Sequence, residues 1–256
     1  MINFIQLEFT PGNKWLLLDE INGATEQRVN GTKSVDAILL LDGCINKMVE
    51  SEYSFDNASE LTIADRERAL VAIYQNTYGP KVNSVVKCNT CNQPFDLDFK
   101  LDEVVNSFRP QGEIKKEDVN GRYVYTTDTN LSFRLCTGAD ELAVMGMDAL
   151  QAEVEIMRRC LLEGEMDSVK SELPDLMEKV APLFDTEFDA NCPECSSKQK
   201  FHFNLQQYLL TSLIQEKKQL TLEAHSLATA YNWGLAEILE LPRTQRRMFM
   251  NLLDSG

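Results

Sequence analysis

Apolar and polar residues alternate along two separated segments of the chain, and a short turn interrupts each segment. The first segment runs through Val82–Val86 and Phe95–Phe99, and the second through Phe184–Phe188 and Phe201–Leu205. A period of two residues is the period of a β-strand. The pattern therefore predicts two β-hairpins of similar design, each built as a strand, a turn and a strand.

The first 80 residues predict a small hairpin followed by a helix. Residues 2–9 alternate weakly, a Thr-Pro-Gly-Asn turn sequence follows, and Trp15–Leu18 provides the returning strand. Thr62 stands three residues before Asp65, which resembles a capping box with Asp in place of Glu. This predicts a helix that ends near Tyr78, because Gly-Pro follows.

The segment between the two main hairpins contains both the two-residue spacing of strands and the three- and four-residue spacing of helices. Within residues 113–136, apolar and polar residues alternate and Asn120-Gly121 provides a turn, which predicts a further hairpin. Residues 140–162 place apolar side chains three and four positions apart, which predicts one helix. A second helix is expected from Ser168 to Ala181, with Pro174 inside it or at its boundary.

The chain after the second main hairpin is predicted to be almost entirely helical. Leu220–Tyr231 forms one segment, and Asn232 is suited to cap a second helix over Trp233–Leu241. Pro242 is expected to start a third helix that reaches Leu253, because proline is favoured in the first helical turn.

Four of the seven cysteines lie in the turns of the two main hairpins. Cys88 and Cys91 form one Cys-x-x-Cys motif, and Cys192 and Cys195 form the other. Two intervening residues let one tight turn direct both sulfurs at the same metal, and two such turns complete a tetrahedral four-thiolate zinc shell. The sequence thus predicts one structural zinc ion, and a closed shell leaves no position for catalytic water.

Two other interpretations of the paired cysteines stay open. The four thiols are also compatible with unmetallated structural residues, since 100 positions separate the motifs, against roughly 15–20 in compact zinc sites. A redox role is the other alternative. It is disfavoured because thioredoxin-type motifs begin a helix, whereas strand patterns follow both motifs here.

Together these patterns predict an α+β protein. Its regions are an N-terminal β/α region (1–80), a zinc-ribbon-like β module (81–100 plus 184–205), a large inserted acidic α+β subdomain (101–183) and a C-terminal helical segment (206–256).

The charge of the chain narrows the classes of partner. Lys and Arg total 25 and Asp and Glu total 40, which gives a net charge of −15. Residues 137–191 hold 14 acidic and four basic side chains. Such a field opposes nucleic acid, whose phosphates need a basic surface. The acidic segment is either a solvated helix surface or a docking face for a basic protein.

The sequence lacks the features of several other functional classes. No apolar run approaches the roughly 18 residues that span a bilayer, and no signal-peptide pattern is present, so neither membrane insertion nor secretion is expected. No nucleophile elbow, phosphate-binding loop or zinc-protease motif occurs. The only histidines are His202, expected on the solvent side of a strand, and His225 in a helix. An enzyme with a small-molecule substrate is therefore not expected.

The string from His225 to Pro242, which contains Trp233, Glu-Ile-Leu and Leu-Pro, is followed by the pair Arg246-Arg247. Over roughly residues 205–253 the chain resembles the baseplate hub assembly family of T-even-type contractile-tailed phages. Members of that family include a hub subunit and a hub assembly catalyst. The resemblance implies a non-enzymatic protein that acts in the host cytoplasm by contacting other baseplate hub proteins. Retention in the finished virion baseplate is left open.

The C-terminal helices suggest where such contacts are made. They carry more large apolar residues than one narrow stripe requires, so they form either a compact core or a surface that holds another protein. Under the second interpretation, Trp233 is the expected anchor, and Arg246 and Arg247 lie at the rim. The alternative function from a different class is a zinc-ribbon nucleic-acid-binding or transcription-associated module. Asp96, Asp98 and Glu194 argue against it.

Overall fold

The computed structural model describes residues 3–12, 15–46, 57–108, 110, 114–165 and 171–255. These residues form a mixed α+β structure with small antiparallel sheets and a helical C-terminus. Among them, no helix combines the length and the apolar character that a membrane span requires.

The N-terminal region begins with the predicted hairpin. Strand β1 (Asn3–Gln6) pairs antiparallel with β2 (Trp15–Leu18). Two short helices follow, α1 (Gly23–Arg28) and α2 (Ser34–Asp42), and a single 3₁₀ turn spans Ala58–Glu60.

The predicted capped helix is α3, over Ile63–Tyr78. The Thr62 hydroxyl accepts the Asp65 backbone N–H at 3.3 Å, as an N-cap does. Gly79 ends the helix with φ of 90°, a conformation that few other residues adopt readily. Both boundary predictions are confirmed.

The two main hairpins also form as the alternation predicts. Strands β3 (Lys81–Lys87) and β4 (Pro94–Lys100) pair antiparallel, and helix α4 (Leu101–Ser107) follows directly. Far along the chain, β9 (Asp185–Asn191) pairs with β10 (Lys198–Asn204) in the same way.

A four-stranded antiparallel sheet lies between these hairpins in sequence. Its strands are β5 (Lys115–Asp118), β6 (Tyr123–Thr126), β7 (Ser132–Phe133) and β8 (Leu161–Glu163), in that spatial order. Asn120 and Gly121 take φ of 54° and 72° between β5 and β6, which matches the turn that Asn-Gly favours.

The single helix predicted over 140–162 is wrong. The structure divides it into α5 (Gly138–Ala143) and α6 (Ala149–Cys160), and the chain then enters β8. Gly146 takes φ of 89° in the intervening turn, and Asp148 caps the new helix by accepting the Gln151 N–H at 3.0 Å. The apolar residues keep their three- and four-residue spacing across this break, so the spacing alone did not reveal it.

The next helix is α7, over Leu173–Val180, and a proline lies in its first turn. Pro174 therefore lies at the start of this helix. Proline has no backbone N–H, and a residue in the first helical turn does not need one for the helical hydrogen bonds. The first three residues of the segment predicted from Ser168 to Ala181 lie outside the described residues.

The C-terminus contains the long helix α8 (Leu205–Tyr231), then α9 (Leu235–Glu240) and α10 (Arg243–Asp254). The sequence suggested that Asn232 caps a helix that starts at Trp233, and the structure does not place it there. Asn232 ends α8 in the left-handed conformation with φ of 56°, a role to which asparagine is also suited.

Among the described residues, three groups of buried apolar side chains hold the fold together. The largest joins the N-terminal helices to α3 and the first half of α8. A second lies under the four-stranded sheet, α6 and α7. A third joins the end of α8 to α9 and α10, and it includes Leu227 and Ile238, which are completely buried.

Candidate metal centre

The first cysteine pair occupies the turn between β3 and β4. The Cys88 N–H donates to the Gln93 carbonyl at 3.0 Å, and the Asn92 N–H donates to the Cys88 carbonyl at 2.9 Å. Asn92 closes this turn in the left-handed conformation with φ of 59°. The folded turn directs the sulfurs of Cys88 and Cys91 to the same side, because only two residues separate them.

The second pair repeats this backbone pattern in the turn between β9 and β10. The Cys192 N–H donates to the Ser197 carbonyl at 3.0 Å, and the Ser196 N–H donates to the Cys192 carbonyl at 2.9 Å. Ser196 takes φ of 58°, as Asn92 does in the first turn. The two turns are therefore structurally equivalent, although sequence analysis did not identify a special role for either residue.

The four sulfurs lie close together. Cys88 Sγ is 3.6 Å from Cys195 Sγ, and Cys91 Sγ is 3.7 Å from Cys192 Sγ. All four lie within 4.8 Å of one another. A tetrahedral zinc shell with Zn–S bonds of about 2.3 Å places its sulfurs about 3.8 Å apart. The donor set and its spacing thus fit one four-thiolate zinc ion, and the sulfurs are too far apart for disulfides.

Hydrogen bonds within the turns favour the thiolate form of one ligand. The Ser197 hydroxyl lies 3.3 Å from Cys88 Sγ, and the N–H groups of Cys91 and Thr90 also point at this sulfur. The contact with Ser197 is the main cause that lowers the pKa of Cys88 to about 5. The Cys195 thiol in turn donates to the Ser197 hydroxyl oxygen at 3.2 Å. Metal binds the thiolate, so the Ser197 contact favours the form of Cys88 that a metal requires.

The centre lies at the surface end of the two hairpins. Cys88 and Cys192 are buried, Cys91 is half-buried and Cys195 is exposed. Four ligands leave no open coordination position for substrate or water. A chelator nevertheless has access to the centre from the side of Cys195.

Aromatic contacts hold the two hairpins against each other below the cysteines. Phe99 of the first hairpin lies 4.5 Å from Phe188 and 4.9 Å from Phe203 of the second, measured between ring centroids. The Asn89 N–H also donates to Gln199 Oε1 at 2.8 Å, across the gap between the hairpins. These contacts bring together two turns that are distant in sequence.

A protein-family model described as T4 bacteriophage base plate protein matches residues 25–179, which is more than half of the chain. This chain belongs to the T4 bacteriophage baseplate protein family. No curated protein and no solved structure matches it. The family is a structural one and generally non-enzymatic, and membership implies other phage baseplate proteins as partners.

The matched region of this baseplate protein differs from the region that carried the resemblance. It ends at residue 179, before the second cysteine pair and before the C-terminal string that begins at His225. The matched part includes Cys88 and Cys91 but neither Cys192 nor Cys195. The family is thus shown independently of the residues on which the sequence resemblance depended.

The C-terminal residues expected at a partner interface have different environments. Trp233 is half-buried, with its ring 4.8 Å from that of Tyr231 and 5.0 Å from that of Phe249. Arg247 is 44% exposed. Arg246 is 1% exposed, so its expected place at a rim is corrected to the protein interior.

Arg246 is buried because distant carboxylates neutralise it. Its guanidinium donates to Glu223 at 2.7 Å and to Glu26 at 2.8 Å. Arg243 donates to Glu26 at 3.2 Å and also contacts Glu216. This buried ion-pair network fastens α10 to α1. Sequence analysis missed it, since an arginine that faces solvent and one that faces a distant glutamate look the same in sequence.

A second group of potential metal ligands comprises Cys136, Asp140 and Cys160, whose ligand atoms lie within 4.8 Å of one another. Arg134 contacts Asp140 at 2.6 and 2.8 Å, and Arg159 contacts it at 2.9 Å. Two guanidinium groups already neutralise this carboxylate, so the group is poorly suited to a cation. The structure favours an ion-paired junction here.

Glu67 links α3 to the start of the second hairpin. Its carboxylate accepts the Phe184 N–H at 2.5 Å, and it faces Arg66, Asp185 and Glu141. Burial raises its pKa from 4.5 to about 7. The folded state therefore binds a proton on the Glu67 carboxyl more tightly than the unfolded state does. The resulting stabilisation is complete below about pH 4.5 and is lost as the pH rises through about 7.

Replacing Glu67 with glutamine is expected to remove this pH dependence. Glutamine keeps an acceptor for Phe184 but does not titrate. The stability of Glu67→Gln relative to the natural protein should thus increase by about 3 kcal/mol between pH 4.5 and pH 8. Urea unfolding of both proteins at several pH values measures the difference. Parallel curves for the two proteins would show that folding does not shift the pKa of Glu67.

Proposed function

We propose that this protein acts in assembly of the phage tail-baseplate hub, as an assembly factor or a structural component that works through protein–protein contacts. The observation that carries the proposal is the baseplate family match over residues 25–179. The resemblance of the C-terminal string to hub assembly proteins supports the narrower assignment to the hub. The proposed place of action is the host cytoplasm during assembly.

We also propose that Cys88, Cys91, Cys192 and Cys195 bind one structural zinc ion. The tetrahedral spacing of their sulfurs supports it. The ion would join two hairpins that flank the 101–183 segment, and so hold the proposed inserted subdomain at both ends. In this arrangement zinc contributes rigidity to a binding surface and performs no chemistry.

The charge on the two hairpins supports a protein partner over a nucleic acid. Lys87 and Lys100 are exposed on the first hairpin, but Asp96 and Asp98 lie on the same outer face. On the second hairpin, Lys200 pairs with Glu187 at 2.9 Å. The outer faces thus mix both signs of charge. A ribbon that binds nucleic acid needs a continuous basic face.

Co-expression of the tagged full-length chain with the other baseplate proteins of the same phage tests this function. The expected result is a stable complex that contains a hub component and about one zinc ion per copy of this chain. Exclusive binding to a baseplate component outside the hub would refute the hub assignment. Recovery of nucleic acid without any baseplate protein would favour the alternative function.

Arg247 remains the exposed member of the proposed C-terminal contact residues. Arg247→Gln is expected to slow association with the captured hub protein several-fold at low salt, because rim charges act mainly on association rate. Lys218→Gln is the matched control, since Lys218 is also exposed and loses the same charge from the neighbouring helix α8. Surface plasmon resonance measures both rates. Equal rates for the two variants would remove Arg247 from the interface.

A further inference from the structure

A cavity of about 510 Å³ opens where α6 and α7 meet the start of α3 and the segment before α5. Apolar side chains form much of its wall, including Ile63, Leu135, Ile156, Met177 and Leu183. Its size lies within the roughly 300–1,000 Å³ range of pockets that bind ligands. The cavity is distinct from the cysteine centre and from the C-terminal helices.

We propose that this cavity receives an apolar side chain, flanked in sequence by lysine or arginine, from another baseplate protein. This inference rests on the proposed function, because it takes the occupant from the partners that the family implies. It adds a defined docking site and a chemical description of the segment that docks there.

The apolar wall selects the anchor of the docking segment. Pro174 and Met177 lie three residues apart in α7, and Ala181 follows four residues later at its C-cap, so all three line the cavity from the same side. Met177 is only partly buried within this chain. An aliphatic or aromatic side chain from a partner would cover the exposed part of this wall, as anchor residues do at protein interfaces.

The charge around the opening selects basic neighbours for that anchor. The lining includes three carboxylates, from Glu141, Glu178 and Asp185, and no lysine or arginine. Arg66 neutralises Glu141, and His202 contacts Asp185. Glu178 is exposed and has no ion-pair partner among the residues that the structure describes.

The surrounding sequence extends this negative field, since residues 137–191 hold 14 acidic and four basic side chains. An anionic ligand such as a nucleotide would be repelled from the opening. A basic protein segment would instead be attracted to it during encounter and held in register after docking. Charge complementarity therefore favours a cationic, apolar peptide segment over a small anionic molecule.

Site-specific photocrosslinking of the co-expressed complex tests the location. The photoreactive residue p-benzoylphenylalanine replaces Glu178 in one protein and Glu172 in the control. Glu172 is exposed near the start of the same helix and does not line the cavity. The expected result is a crosslink from position 178, and none from 172, to a baseplate-protein peptide that has an apolar residue beside lysine or arginine.

Charge reversal tests the energetics with the same matched pair. Glu178→Lys is expected to weaken binding of the captured partner at least tenfold, whereas Glu172→Lys, with the same change in net charge, should leave affinity within twofold. Circular dichroism melting establishes that both variants are folded. Should Glu178→Lys fail to fold, the milder Glu178→Gln is expected to weaken binding about threefold relative to Glu172→Gln.

The possible outcomes separate this inference from the proposed function. A baseplate complex that forms normally with Glu178→Lys, and crosslinks only from position 172, overturns the docking site and leaves the proposed function intact. A crosslink from 178 to an acidic peptide overturns the charge argument. If the natural protein binds no baseplate protein at all, the proposed function fails and this inference fails with it.

Discussion

Replacing Cys192 with serine is expected to abolish zinc binding and to unfold the two main hairpins together. Cys192 is buried, and its sulfur is one of the four that fit a tetrahedral shell. Structural zinc contributes about 10–16 kcal/mol of apparent binding free energy in peptides, and part of this becomes folding free energy. Here the ion would also close a loop of about 100 residues, which increases the entropic benefit of the link.

Elemental analysis and thermal unfolding measure this effect. The natural protein should contain about one zinc ion per chain, and Cys192→Ser should contain none and melt at least 10 °C lower. Cys44→Ser is the matched control, since Cys44 is also buried but lies in the N-terminal core away from the centre. It should keep its zinc and lose about 1 kcal/mol.

Chelation provides a second test that needs no mutation. Because Cys195 is exposed, an excess of a strong chelator should remove the ion from the folded protein and lower its melting temperature to that of Cys192→Ser. A protein purified without zinc, with a melting temperature that chelator and Cys192→Ser leave unchanged, would contradict the metal site. The four cysteines would then be unmetallated structural thiols.

Replacing Glu26 with glutamine is expected to destabilise the protein by about 3 kcal/mol and to release the C-terminal helices from α1. Glu26 is 2% exposed and accepts hydrogen bonds from both Arg243 and Arg246. Removing one member of a buried ion pair leaves an uncompensated charge and typically costs about 3–5 kcal/mol. Glu223 and Glu216 still contact the two arginines, so the lower end of this range is expected.

Urea unfolding measures the loss of stability, and limited proteolysis shows whether α10 detaches first. Glu240→Gln is the control, since Glu240 is exposed on the neighbouring helix α9 and loses the same charge. It should change stability by less than about 0.5 kcal/mol. Equal stabilities for the two variants would show that the buried network contributes little to holding the C-terminus.

The two predictions concern links of different chemistry between distant parts of the chain. The cysteine centre joins the two hairpins on either side of the 101–183 segment. The Glu26 network joins the first described helix, α1, to the last, α10. A larger residue at Gly23, beside this network, would require the Leu239 side chain to shift. A Cβ at that position would lie 2.8 Å from Leu239. Both links act on the relative positions of surfaces that the proposed function uses for binding.

Local features of this protein were predictable from sequence. The alternation around Phe95–Phe99 and Phe201–Leu205 predicted the hairpins, because side chains on successive strand residues face opposite sides. The Thr62 cap and Gly79 predicted the bounds of α3, since capping needs only neighbouring residues. The Cys-x-x-Cys spacing identified the four sulfurs that the structure brings together, because only thiols and a few other groups bind zinc.

Only the tertiary structure decided features that depend on distant residues. Arg246 is internal because Glu26, 220 positions away, neutralises it, and its own sequence neighbourhood carries no sign of that partner. Gly146 divides a segment whose apolar spacing is continuous, since periodicity records which side is buried and not whether the backbone turns. The cavity beside Met177 exists because residues of α3, α5, α6, α7 and β9 meet around it. Sequence patterns record local preferences, whereas burial, ion pairing and cavities depend on which distant surfaces meet.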